Sequence, residues 1–465
     1  MTADSLPVPV PAPLAWAYRH RAPLLLALLG AYTLTIRVWD IHQHFWMYGD
    51  QMRDWLIATG PMRELPLTGT PSTAGGTSLG PAFYWTLWII AAVAGPWFDY
   101  LPHAGGLGLS FLQSAADVLL AFAIWRRTGS IAIALTAVLI AASSPHDLAI
   151  SATIWNPVLS VAFAKTAVAL LLVYGRGPSP WTMAVVAAMA WLAVQAHSGG
   201  LFVALACFLW FVARDLAARR YRDAAATAFG LQMVVLVLQI PFLLHLLGGS
   251  AGNAAPTAIL QAVGQAGQEN VVSLSRSVQA VGGALDVLVN QPWSITWFPT
   301  LLLGASAIVA VRYRREADIV FATALPIVLA MAAFSSWTRP FDSYWFLPLV
   351  PSASLLLVLA IAAPVRGRAA TVVPVLCLTA ILALQPARIA RSHEFLRLPA
   401  YGALVQGSRQ IAKYGQPIAR IEAPFVDPEI DREVLYRLLG GTLHPESGLI
   451  ATINPDGSVA YRKER

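Results

Sequence analysis

The chain has 465 residues, of which 57% are hydrophobic and 12% charged, too little polar surface to solvate a globular fold. A soluble enzyme is excluded, and an integral membrane protein remains. The net charge of +7 does not indicate nucleic-acid binding, because the arginines lie in short links between apolar runs and no basic recognition helix is present.

The N-terminus, 1–22, holds a proline-rich stretch from Pro7 to Pro13 and ends on Arg19-His20-Arg21, the pattern of a cytoplasmic tail. The next apolar run leads into Arg37-Val38-Trp39-Asp40 rather than a small-residue cleavage site, so it reads as an uncleaved signal anchor. Spans are expected at roughly 23–41, 104–125, 130–146, 153–174, 180–196, 199–213, 225–247, 292–311, 318–334, 344–364 and 371–386. That makes about eleven crossings, some shorter than the ~20 residues that suit a bilayer. Dyad alternation is missing, which excludes a membrane barrel.

Charge placement orients the bundle. Arg126, Arg127, Arg176, Arg214, Arg219, Arg220, Arg222, Arg312, Arg314, Arg315, Arg366 and Arg368 fall on one side, the cytoplasmic one. Arg37, Arg53, Arg63, Arg276 and Arg339 fall opposite, among Asp40, Asp50, Asp54, Glu64, Asp99, Asp147, Glu269, Asp286 and Asp342. The aromatic run from Gly80 to about Phe98 would invert every later basic loop if it crossed once. It is therefore expected to be interfacial or re-entrant; the competing arrangement lets it cross and merges one short pair of spans.

Two segments outside the spans are long enough for structure. Residues 248–291 form an outward loop in which Ala258 to Gln261 and Val278 to Val289 read as helices lying on the membrane, a candidate lid. From 388 to 465 the composition is that of an ordinary soluble domain. A helix is expected near 400–413, a strand at Ile418 to Ile421, a helix near 431–440, and a hairpin joining Leu449–Ile453 to Ser458–Tyr461 through Asn454-Pro455-Asp456-Gly457. The expected fold is an all-α polytopic membrane bundle of about eleven spans (23–387, with outward loops 42–103 and 248–291) with a small C-terminal extracytoplasmic α/β domain.

Cys207 and Cys377 lie in separate apolar runs and imply neither a disulfide nor a thiolate metal site. Asp117 and Lys165 are the notable ionisable residues inside the spans, where pairing or function is the rule. Asp117 is expected to belong to a buried polar network, and Lys165 to reach it or a lipid phosphate.

The outward loop after the first span reads Tyr48-Gly49-Asp50-Gln51-Met52-Arg53-Asp54. If helical from Gln51, it sets Asp50 and Asp54 near one face with Arg53 beside them. Asp50 is then a helix N-cap, a proton acceptor, or both. Later outward segments hold Gly80-Pro81-Ala82-Phe83-Tyr84-Trp85, then Ser143-Ser144-Pro145-His146-Asp147 with Ile154-Trp155-Asn156-Pro157, and Arg339-Pro340-Phe341-Asp342-Ser343-Tyr344-Trp345-Phe346-Leu347-Pro348. His197 breaks an apolar run at another outward vertex.

In the order and sidedness of these motifs the chain resembles the C-type, polyprenyl-phosphate-sugar-dependent glycosyltransferases, especially the protein O-mannosyltransferase and aminoarabinose transferase group. The resemblance implies transfer of a sugar from a polyprenyl-phosphate donor to an acceptor hydroxyl of a glycan, lipid or protein, at the outer face and with inversion. It implies Asp50 as general base, and Asp54, Arg53, Asp147, His146, His197, Tyr84, Arg339 and Tyr344 as substrate-binding residues. Some members hold the donor phosphate with a lysine beside the aromatic segment. Here the only lysines are Lys165, Lys413 and Lys463, so arginine or hydroxyl groups must serve, with Arg339 and Tyr344 first and Arg53 second. No cofactor is implied and no metal-ligand spacing is legible, a weakly bound divalent cation being the one ion left open.

A secondary transporter or lipid flippase is the other class that many spans and buried charge suit, but no internal duplication is visible and the acids lie in outward loops rather than at the midplane. A scaffold that only displays the C-terminal domain leaves the outward carboxylates unexplained.

Overall fold

The computed structural model describes residues 21–46, 48–71, 77–248, 274–290, 295–334, 342–395, 401–426 and 431–464. Helices dominate, and serine N-caps start several of them. Ser130 accepts from the Ile133 amide, Ser179 from Thr182 and Ser144 from Asp147, each oxygen satisfying an amide that the first turn leaves without a partner. Pro180 and Pro145 stand at first helical positions, where a missing N–H costs nothing.

Seven helical segments are long and apolar enough to cross a membrane: Arg21–Gln43, His103–Thr128, Asn156–Tyr174, Ser198–Ala217, Tyr221–Leu247, Ser343–Ala362 and Ala369–Ser392. Ile131–Ala142 and Pro145–Ser151, bent by 64°, make an eighth if taken as one span. Pro180–Ala196, Phe298–Arg312 and Ala317–Ala333 are apolar but shorter. The chain is an integral membrane protein. The last apolar helix, Ala369–Phe395, runs past the span boundary expected near 386, with Pro386 inside it.

The two ends of the bundle differ. At one, Arg127 forks onto Asp318 (2.9 and 3.0 Å) and reaches Glu316 (3.1 Å), which also takes Arg176. Asp215, close by in sequence to Arg214 and Arg220, binds both and accepts from Thr227. At the other end gather the loops around 39–103, 143–156, 196–200 and 342–349. Helix Leu274–Asn290 joins them, with Ser277 donating to the Met331 carbonyl and Asp286 accepting from the Ile295 amide at 2.8 Å. The Ala258–Gln261 portion of the expected lid lies outside the described residues.

The aromatic segment forms helix Ala82–Ala94 and a 3-10 turn, Gly95–Phe98. Its first turn meets helix Gly49–Thr59 at Asp54, and Tyr100, just past its end, accepts the Trp55 indole N–H at 2.6 Å. Both ends thus attach to neighbouring residues of one short helix.

The C-terminal unit is a small α/β fold. β1 (Arg420–Glu422) pairs in parallel with β2 (Leu449–Ile453), aligning Ile421 with Ala451, and β2 pairs antiparallel with β3 (Val459–Lys463), aligning Ala451 with Tyr461. Gly457, at φ 79°, closes the hairpin where a side chain would be strained. Helix Tyr401–Tyr414 packs Leu404 and Ile411 into this unit and docks it on the bundle. Tyr401 Oη lies 2.8 Å from His103 Nδ1, and Arg409 pairs with Asp99 at 2.7 Å.

Candidate active site

Helix Gly49–Thr59 starts one residue before Asp50, and Gln51 Oε1 accepts from the Tyr48 amide at 2.9 Å. Asp50 is therefore not the N-cap that the Gly-Asp step allowed. It occupies the first turn, where the helix dipole favours a negative charge. The helical period sets Asp50, Arg53 and Asp54 on one face, as expected. Arg53 Nη1 contacts Asp50 Oδ1 at 2.7 Å, while Nε and Nη2 hold Asp54 Oδ1 at 2.9 and 2.8 Å.

The two carboxylates differ in setting. Asp50 has 71% of its side chain exposed and Asp54 only 4%. Burial lifts the Asp54 carboxyl above the usual aspartate range, opposed by the adjacent Arg53 and by Tyr84 Oη, which donates to Oδ1 at 2.9 Å. Tyr84 is itself buried, and burial together with the Asp54 charge pushes its phenol up. An exposed ion pair contributes ~0.2–1 kcal/mol, whereas breaking a buried one costs ~3–5 kcal/mol. Arg53 is therefore anchored on its Asp54 side and weakly held on its Asp50 side.

Close approach delivers Tyr84 to this place. Any Cβ on Gly80 would lie 2.5 Å from Gln195 Cδ, and one on Gly69 2.6 Å from Ser78 Cβ. The strand-like bridge of Pro71 with Thr77 closes the loop between them. Gln195 in turn donates to the Leu238 carbonyl and to Gln239 Oε1 in helix Tyr221–Leu247.

A row of rings ties the remaining outward motifs to this helix. Tyr48 meets Trp46 (5.1 Å between centroids), Trp46 meets Trp155 (6.3 Å), Trp155 meets Tyr344 (4.8 Å), and Tyr344 meets His197 (5.9 Å). Four of the five are half-buried and His197 is buried. Burial pushes the His197 imidazole down to about 4, so it is neutral near pH 7, with Nδ1 accepting from the Gly199 amide. A Cβ on Gly199 would collide with the Trp345 carbonyl, which is how that vertex comes so close to the 342–349 segment. Arg339 lies outside the described residues.

Asp147 goes elsewhere. It accepts from Arg37 Nη2 at 2.8 Å and Nε at 3.3 Å, while Arg37 Nη1 binds Asp117 at 2.6 Å and Ser114 at 3.0 Å. Lys165 Nζ completes the cluster, 2.8 Å from Asp117 and 2.9 Å from Gln113. Arg37, expected in an outward loop, is instead fully buried, because the buried carboxylates of two other helices, Asp117 and Asp147, need its charge. His146, beside Asp147 in the short helix Pro145–Ser151, is half-buried.

Sequence reasoning also passed over Arg388. It donates to the carbonyls of Ile140, Ser143 and Val289 at 2.7 to 3.0 Å, completing the interrupted helix end before Pro145. The available signal was an arginine one turn beyond an apolar run that has no terminating residue. Among the described residues no group of three His, Cys, Asp or Glu is placed to hold a metal ion.

No protein-family model matches the chain, and no curated protein matches its sequence. Solved structures do match. ArnT from Cupriavidus metallidurans in the apo state aligns over 93% of this chain and 93% of its own, with a TM-score of 0.54 and 14% identity. ArnT from the same organism bound to undecaprenyl phosphate aligns over 90% of this chain and 85% of its own, with a TM-score of 0.54 and 15% identity. At this identity the likeness is one of fold. The fold is that of ArnT, an aminoarabinose transferase, within the group that the motifs resemble.

Proposed function

We propose that the chain is a glycosyltransferase that moves a sugar from a polyprenyl-phosphate donor to an acceptor hydroxyl at the extracytoplasmic face, with inversion and with Asp50 as general base. The carrying observation is an exposed carboxylate, Asp50, held beside Arg53 at the loop-rich end of a bundle whose fold is that of a protein solved with undecaprenyl phosphate.

The proposed placement has eleven crossings, eight from the segments long enough to span and three from Pro180–Ala196, Phe298–Arg312 and Ala317–Ala333 as short or tilted spans. Supporting it, the end carrying Arg127, Arg176, Arg214 and Arg312 alternates with the loop-rich end through every connection, and arginine-rich links are cytoplasmic. The N-terminus is then cytoplasmic and the C-terminal α/β unit, 388–465, extracytoplasmic. Helix Ala82–Ala94 lies at the interface, and helix Leu274–Asn290 covers the site from outside.

In the reaction the acceptor O–H proton passes to Asp50 as the oxygen attacks the anomeric carbon, and the bond from that carbon to the phosphate oxygen breaks. A single displacement inverts the centre. The polyprenyl phosphate leaves with an added negative charge, which a fixed guanidinium stabilises more as it grows. Arg53 and Arg339 are the candidates. The half-exposed rings of Trp155 and Tyr344, with His197 behind them, line the approach for sugar or acceptor. Tyr84 and Asp54 support Arg53. Asp147 is a member of the buried network, and His146 beside it is assigned to the wall of the site.

The test incubates purified full-length protein with a panel of undecaprenyl-phosphate sugars and follows release of undecaprenyl phosphate, comparing wild type with Asp50→Asn. Transfer that disappears in the variant supports the reading. Equal turnover rejects Asp50 as base, and donor-independent solute flux in proteoliposomes in place of transfer identifies a transporter.

A further inference from the structure

Arg53 presents two edges with opposite surroundings. The inner edge, Nε and Nη2, is bound to buried Asp54, whose position Tyr84 Oη secures. The outer nitrogen, Nη1, holds Asp50, a side chain that is largely in solvent. The base of the proposed reaction is thus occupied by a cation before any substrate arrives. While that contact stands, Oδ1 is engaged by Nη1 and is not open to an incoming O–H. Something of the same charge and similar oxygen geometry has to take its place on Nη1.

We propose that the donor's phosphate and Asp50 are alternative ligands of Arg53 Nη1, so that seating the donor releases the base. This rests on the transferase reading of the site. The exchange needs only the exposed Asp50 side chain to turn, because the inner edge keeps the guanidinium fixed throughout. Phosphate and carboxylate oxygens both suit the planar fork of arginine, which makes the replacement stereochemically simple. It also explains how a site without a neighbouring lysine holds a donor phosphate.

The consequence is an ordered reaction. Without donor, Asp50 is paired and an acceptor hydroxyl or a water molecule is not deprotonated beside it. With donor bound, Asp50 is free, the acceptor's proton goes to it, and the leaving phosphate gathers its extra charge against Arg53. Asp54 and Tyr84 are positioning residues in this scheme, since they act through Arg53.

The experiment titrates undecaprenyl phosphate into the detergent-solubilised full chain and measures its Kd for wild type, Asp50→Asn, Arg53→Gln and the double variant. Loss of a competing exposed carboxylate should tighten binding about 2- to 5-fold in Asp50→Asn. Arg53→Gln should weaken it, and in that background Asp50→Asn should have no further effect. That last comparison separates exchange on Arg53 from simple relief of charge repulsion, which would tighten binding in both backgrounds and overturn the proposal. Asp50→Asn binding no tighter than wild type overturns it too. If wild type itself fails to bind undecaprenyl phosphate, the transferase reading falls and this inference with it. Asp50→Ser, which also removes the charge, repeats the measurement should the Asn variant melt below wild type.

Discussion

Arg37 and Asp117 meet at 2.6 Å with neither side chain exposed, and the same guanidinium also holds Asp147, so three helices converge on one buried charge. Lys165 adds a second cation on Asp117. Removing one member leaves a buried charge short of its counter-ion, Lys165 when Asp117 is lost and Asp147 when Arg37 is lost, at a cost of ~3–5 kcal/mol. Asp117→Asn and Arg37→Met should therefore each lower the melting temperature sharply and reduce the yield of monodisperse protein. Wild-type melting in both variants would show that the network does not hold the bundle together.

Asp50 is different, because its side chain stands largely in solvent. Asp50→Asn should leave melting unchanged and lower kcat by roughly 10²–10⁴, the usual range for loss of a general base. The KM for donor should not rise, since the amide no longer competes for Arg53. Parallel thermal and steady-state measurements check this, and a large fall in melting temperature would mean that the residue is structural.

The pH profile follows from Asp54. Its ionised form anchors Arg53, and burial lifts its carboxyl above the usual range, so the acid limb of kcat/KM should lie above that of an ordinary aspartate. Tyr84 donates to the ionised form and so holds the carboxyl down. Tyr84→Phe removes that donor and should move the acid limb to higher pH, by about one unit or less, given that a neutral hydrogen bond contributes ~0.5–1.5 kcal/mol and one unit is about 1.36 kcal/mol. A limb that stays in place or moves to lower pH would separate Asp54 from activity.

Gly199 packs against the Trp345 carbonyl with no room for a methyl group. Gly199→Ala should destabilise by about 1–3 kcal/mol through overpacking and push the 342–349 segment away from His197. Because Tyr344 sits on that segment, the KM for donor or acceptor should rise along with the fall in melting temperature. Thermal melting paired with steady-state kinetics reads both effects.

The acidic helix around Asp50 was legible because local rules suffice there. A Gly-Asp step, a period of 3.6 and an adjacent arginine define a face without help from distant residues. The C-terminal elements were legible for the same reason, with turn residues and alternating hydrophobicity marking a hairpin that the structure places at β2 and β3. The pairing of Lys165 with Asp117 could be anticipated, since a charge buried in an apolar span needs a partner. Its third member could not, because Arg37 lies at the end of a span where an arginine is equally at home at the surface.

Apolar composition by itself determined that this chain is a helical membrane protein, since backbone groups in hydrocarbon must be satisfied within the segment that carries them. The short motif around Asp50 determined a helix face that carries two carboxylates and an arginine. Only the tertiary structure decided what surrounds each charge. It buried Asp54 and exposed Asp50 though they are four residues apart, sent Asp147 to Arg37, and set Trp155, Tyr344 and His197 in one row. Those outcomes depend on which helices touch, and hydrophobic packing, being non-directional, does not write its contacts into local sequence.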